Sequence, residues 1–145
     1  MLELRMSVIK SRLFSKINLI TFIVVICITL IGFGSKFYNG PLKLWVNNSL
    51  SGMFYVIFWC LLIFLVNKSP LKIALIVFLF TTALEFLQCW HPPILEKIRS
   101  TFIGRTLIGN SFVWTDIIYY FTGCIIAYLF LNQLLKKYSE AEVKN

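Results

Sequence analysis

Residues 72–93, KIALIVFLFTTALEFLQCWHPP, decide the fold. Lys72 is followed by an apolar run that reaches Trp90 with one charge inside it, Glu85. His91-Pro92-Pro93 ends the run, because proline has no N–H to donate and disfavours helix in the residue before it. At about 1.5 Å per helical residue such a run matches the roughly 30 Å hydrocarbon core of a bilayer. The pattern recurs on both sides. Ile17 to about Gly34 carries no charge, Leu44 to Val66 carries none and becomes strongly apolar from Met53, and a last run extends from about Phe112 to Leu135. The expected spans are 17–34, 48–66, 73–90 and 112–135, in one membrane domain over 1–145. The expected fold is all-α, a polytopic four-transmembrane-helix bundle.

Composition agrees with that reading. The 145 residues are 59% hydrophobic, 17% aromatic and 14% charged, with mean hydropathy +0.82, more apolar surface than a water-soluble domain of this size can hide. The connections are short. Gly40-Pro41 marks a turn between spans one and two, and Asn67-Lys68-Ser69-Pro70 a tight turn between two and three. Residues 91–111 form the one long connection. Within it Ile94, Leu95, Ile98 and Phe102 share one side of a short helix, with Pro93 before and Gly104 after, as suits an amphipathic helix at the membrane interface. The first span follows a basic stretch of 16 residues, long for a cleavable leader, so it reads as an uncleaved helix. The polar tail from Tyr138 reads as frayed.

The net charge of +8 comes from 14 Lys and Arg against 6 Asp and Glu. These cations flank the apolar runs, where they hold helix ends at an anionic membrane surface, so membrane lipid and not nucleic acid is the expected partner. Counted on alternate sides, nine basic residues fall with the two termini and the residue 67–72 turn, and five with the other two connections. The positive-inside rule therefore places both termini in the cytoplasm and residues 91–111 on the outer face.

Glu85 lies about 20 Å along its span from Lys72. An acid inside the membrane is a functional hypothesis when a partner can be named, and Thr81 and Gln88 share its helical face. On the last span Asp116 falls near the outer boundary, on a face that continues through Tyr119 or Tyr120, Gly123 and Ala127; the Gly123-x-x-x-Ala127 spacing admits close helix packing. Asn48, Ser51, Gly52, Tyr55 and Trp59 form a similar stripe on span two. Together with Arg99 and Arg105 in the connection above, these residues suggest an outward-facing polar cavity roofed by 91–111. A structural reading stands beside it, in which Glu85 pairs with Arg99 or Arg105, and Asp116 caps its own helix or takes the other arginine, to staple the loop down.

Neither metal nor cofactor is expected. His91, the one histidine, lacks neighbours at metal-ligand spacing, and Cys27, Cys60, Cys89 and Cys124 fall one per span as packing residues. Ser49 and Ser111 sit in no nucleophile-elbow context, and no catalytic residue is assigned.

The stretch ALEFLQCWHPPILEKIRSTFIGRTLIGNSFVWTDIIYYFTGC carries Glu85, Gln88, Leu95, Arg99, Leu107, Gly109, Phe112, Asp116, Tyr120 and Gly123. It resembles the C-terminal half of a small four-helix bacterial membrane family of unknown function, cyanobacterial members especially, with a looser match through GPLKLW and the second span. A shorter version of the pattern is similar to VanZ-like proteins, on which likeness Glu85, Gln88, Arg105 and Asp116 would be the signature positions. Where VanZ-like chains often place an Asn shortly after the Asp, this one has Tyr120. The resemblance implies a bacterial inner-membrane location and no known reaction.

Three function classes follow. In the first, the cavity binds the headgroup of a lipid or a lipid-linked envelope molecule, with Arg99 and Arg105 on phosphate and Glu85 and Gln88 on hydroxyl or amine groups. In the second, the chain is a non-catalytic scaffold or assembly factor that recruits a membrane protein partner. In the third, an intramembrane enzyme uses Glu85 as base, against which the missing metal ligands and nucleophile context weigh.

Overall fold

The computed structural model describes residues 2–104 and 112–143, with side chains described over 15–104 and 112–140. Arg105 lies outside these residues, as do Leu107, Gly109, Ser111 and Lys144. The main helices are α1 (Leu2–Lys36), α2 (Lys43–Phe64), α3 (Pro70–Leu87), α4 (Pro93–Arg99) and α5 (Trp114–Val143). Among the described residues there is no strand. Four helices, α1 over Ser15–Lys36, α2, α3 and α5 over Trp114–Glu140, are long and apolar enough to cross a membrane. The chain is thus an all-α bundle of four transmembrane helices, with the short α4 between the third and fourth.

The helix ends follow from local chemistry. Pro70 and Pro93 open α3 and α4, where a missing N–H costs nothing. Leu42, at φ 61 and ψ 26, reverses the chain into α2, whose second turn, Val46–Leu50, is a wide π-type turn. At the far end of α2, Lys68 Nζ donates to the Phe64 carbonyl (2.6 Å) and to Asn18 Oδ1 of α1, and lies 4.2 Å over the Phe64 ring. One cation thereby caps α2 and ties it to α1; its burial pushes the Lys68 pKa down. The tail expected to fray from Tyr138 instead continues α5 to Val143, because Leu134 is buried and Tyr138 packs on the core.

α2 is the centre of the bundle, touching α1, α3 and α5, while α5 also packs along α3. Separated by two crossings, α2 and α5 run in the same direction. A Cβ at Gly123 would come within 2.5 Å of Val56 Cγ2 and 2.9 Å of the Met53 carbonyl, so only glycine allows this approach. Ala127, one turn on, is buried. The core continues with Cys60, Leu61 and Phe64 of α2, Ile73 and Val77 of α3, and Leu131 of α5. Leu30, Leu79, Phe80 and Ile118 point outward, toward the hydrocarbon that such helices require around them. Thr21 and Thr81 hydroxyls donate to the carbonyls of Ile17 and Val77 one turn back, both at 2.8 Å, so neither stands unpaired in the apolar interior.

Candidate functional site

The polar residues gather at the connection end, where the α1–α2 and α3–α5 links lie. Glu85 is in the last turn of α3 and 1% exposed. Its Oε1 accepts the backbone N–H of Val113 (2.9 Å); its Oε2 accepts Gln88 Nε2 and the Tyr120 hydroxyl, both at 3.0 Å. Three donors from three directions thus converge on one carboxyl group. An acid without partners at this depth would cost several kcal/mol, on the order of the desolvation of an ion, and these bonds offset that cost. They also join α3 to α5 and to the residues leading into it.

Each donor has a local cause. Gln88 lies one turn beyond Glu85 on the same face. Tyr120 reaches across from α5 because α2 carries Gly52 opposite its ring, where a Cβ would lie 3.1 Å from Tyr120 Cε1. Val113 is held by its aromatic neighbourhood: Phe112 stacks on Phe86 with ring centroids 5.8 Å apart, and Trp114 meets Phe112 edge-on at 4.8 Å. No sequence pattern marks Val113, since a backbone N–H carries no side-chain signature.

Arg99 does not pair with Glu85. It is 3% exposed and turns back to the end of α3, where Nη2 donates to the Leu87 carbonyl (2.9 Å) and Nη1 to the Trp90 carbonyl (3.1 Å) and Glu96 Oε1 (2.8 Å). Carbonyls at a helix C-terminus lack intrahelical donors and carry the negative end of the dipole, so a guanidinium is well placed there. Among the described residues its Nε has no acceptor. Arg99 thus ties α4 to main-chain carbonyls at the end of α3 and not to Glu85, while the alternative pairing of Glu85 with Arg105 lies outside the described residues. With Arg99 facing the bundle, α4 presents Ile94 and Ile98 outward. Glu96 also accepts from His91 Nδ1 (2.8 Å), and the His91 and then the Arg99 hydrogen bond hold the Glu96 carboxyl below its usual range.

Asp116 lies in the first turn of α5, half-buried, its N–H bonded to the Val113 carbonyl at 2.9 Å. Its carboxylate makes no hydrogen bond or ion pair with a described residue. On α2, Ser51 is buried and donates to the Asn47 carbonyl (2.7 Å), whereas Asn48 is exposed and leaves the inward stripe. Trp59 packs edge-on against Tyr55 and Phe58. Two hydrogen bonds were not visible in the sequence: Lys36 Nζ donates to the Asn47 carbonyl (2.8 Å), and Trp45 Nε1 to the Tyr119 hydroxyl (2.6 Å). Among the described residues, no group of three or more His, Cys, Asp or Glu side chains could hold a metal ion.

No solved structure matches the chain. Residues 42–124 match a family model that runs from the start of α2 to Cys124 in α5, and therefore takes in Glu85, Gln88, Arg99, Asp116, Tyr120 and Gly123 while leaving out α1. That match covers more than half of the chain, which belongs to the family described as protein of unknown function, DUF2809.

Proposed function

We propose that the chain is a non-catalytic scaffold or assembly protein of the bacterial cytoplasmic membrane, with both termini in the cytoplasm and the Glu85 cluster toward the outer face. The observation that carries this reading is the internal bonding of the buried Glu85: each of its oxygens accepts from donors within the fold, and Gln88 and Arg99 likewise bond to internal partners. A general base or a headgroup ligand needs an acceptor free to meet its substrate; here the cluster joins helices. The orientation rests on the nine basic residues against five. The likeness to VanZ-like proteins and to bacterial, especially cyanobacterial, chains belongs to the same proposal. Its support is that two of the four signature positions, Glu85 and Gln88, bond to each other.

The test compares wild type with Glu85→Gln by unfolding in detergent and by native mass spectrometry. The expected variant is less stable, because an amide presents N–H to one or more of the three donors, and carries the same lipid adducts as wild type. A variant of unchanged stability that loses a specific adduct would overturn the scaffold reading and favour the enzyme or ligand-binding classes at Glu85.

A second reading, binding of a lipid or lipid-linked envelope headgroup, is favoured by one observation. Asp116 is half-buried at the connection end and its carboxylate has no described partner.

A further inference from the structure

The ends of α1, α2 and α5 are tied together at one level. Lys36, the last residue of α1, is anchored on Asn47 in the wide turn of α2, and Trp45 on that same helix is hydrogen-bonded to Tyr119 of α5. Asp116 lies one turn before Tyr119 and Tyr120 on α5, and so faces this junction. Exposed Tyr38, Trp45 and Trp114 lie at the same end, the positions that indole and phenol rings take at a membrane–water boundary.

The junction carries charges of both signs. Lys36 belongs to the same junction as Asp116, since it is bonded to Asn47, two residues from Trp45, and Trp45 is bonded to Tyr119, one turn from Asp116. The other described acids at this end have donors: Glu85 has three, and Glu96 has His91 and Arg99. Among the described residues Asp116 has no hydrogen-bond donor, so an incoming N–H cation finds an acceptor there, while Lys36 places a positive charge at the same junction.

We infer that this junction binds the headgroup of an aminophospholipid, its primary ammonium on Asp116 and its phosphate on Lys36. The headgroup chemistry follows from the pair. An ammonium with three N–H donors can bond the carboxylate and attract it, while the phosphate a few bonds away reaches the lysine. A choline headgroup has the charge without the donors, and a glycerol headgroup leaves a net anion facing Asp116. The surrounding bilayer presents headgroups at this level in large excess, so modest affinity suffices for occupancy. This inference rests on the headgroup-binding reading and is independent of the scaffold role of Glu85.

The test is native mass spectrometry of the full chain, wild type, Asp116→Asn and Lys36→Gln, titrated with phosphatidylethanolamine, phosphatidylcholine or phosphatidylglycerol of matched acyl chains, and with glycerophosphoethanolamine, the headgroup without its chains. Wild type is expected to prefer phosphatidylethanolamine by about tenfold, the equivalent of one charge-assisted hydrogen bond. Asp116→Asn should abolish the preference, and Lys36→Gln should weaken all three lipids together. Equal binding of the three lipids to wild type, with adducts lost in Asp116→Asn, would overturn the aminophospholipid assignment while leaving headgroup binding in place. Adducts indifferent to both substitutions would overturn both. Glycerophosphoethanolamine binding as tightly as the lipid would overturn the membrane as the source. Should Asp116→Asn fail to fold, Lys36→Gln decides: uniform weakening supports the site, and unchanged binding overturns it.

Discussion

The two ends of the bundle are held in different ways. Toward the termini, the interior is Cys60, Leu61, Phe64, Ile73 and Leu131, apolar side chains whose attraction is summed over many weak, non-directional interactions. Toward the connections, the interior holds Glu85, Gln88, Arg99 and Tyr120, joined by hydrogen bonds with fixed donors and acceptors. Trimming an apolar side chain by one methyl group leaves a small gap; deleting one partner of a hydrogen bond leaves the other buried and unsatisfied, which costs more. The connection end is therefore the more specific and the more fragile of the two. Lys68 over Phe64 is the one polar clasp described at the other end, and it sits at the edge of the core.

That contrast can be broken most sharply at Glu85. Glu85→Ala removes the acceptor of three donors at once and is expected to cost about 3–5 kcal/mol of unfolding free energy in bicelles. A cost under about 1 kcal/mol would mean that water or another residue takes over the donors, and the connection end would not be fragile in this sense. Arg99→Met keeps the unbranched stem of the side chain and deletes the guanidinium with its donors to the Leu87 and Trp90 carbonyls. About 2–3 kcal/mol should be lost, and hydrogen exchange should quicken in the last turn of α3. Leu61→Met at the opposite end conserves volume and should cost less than about 1.5 kcal/mol. If it equals the Arg99 variant, the two ends are alike and the comparison fails.

The smallest effect concerns pH. The Glu96 carboxyl is held below its usual range by His91 and Arg99, so its contribution is present above the ordinary carboxylate pKa of about 4.3 and is lost as pH falls through the depressed folded value. Mild acid below about pH 4 should therefore loosen α4 before it unfolds the bundle. Protease cleavage near residues 91–100, followed against pH in wild type and Glu96→Gln, reads this directly. The substituted chain should be cleaved independently of pH in that range, and an identical acid profile in both would remove Glu96 from the account.

Much of the site was legible because helical spacing is regular. Thr81, Glu85 and Gln88 had to share a face, and Asp116, Tyr120 and Gly123 another, so the side of each helix that turns inward could be read without coordinates. What spacing does not contain is the relation between helices. Tyr120 meets Glu85 because Gly52 and Gly123 let α2 and α5 approach closely enough to set the phenol at the right height. Val113 donates through its backbone, which every residue possesses. Arg99 was visible as a cation above the acids, yet the His91-Pro92-Pro93 turn carries it back over the end of α3, nine and twelve residues upstream, and away from Glu85.

The number of spans and the class of fold are readable from the order of residues, because the thickness of a bilayer and the cost of exposing apolar surface to water act on length and composition alone. The packing of helix on helix sets which donors satisfy the buried acid, where the buried arginine points, and that Asp116 meets no hydrogen-bond donor among the described residues. Those outcomes depend on distances of about 3 Å across helix interfaces, set by the packing of glycines and rings on neighbouring segments and by no single segment's own pattern.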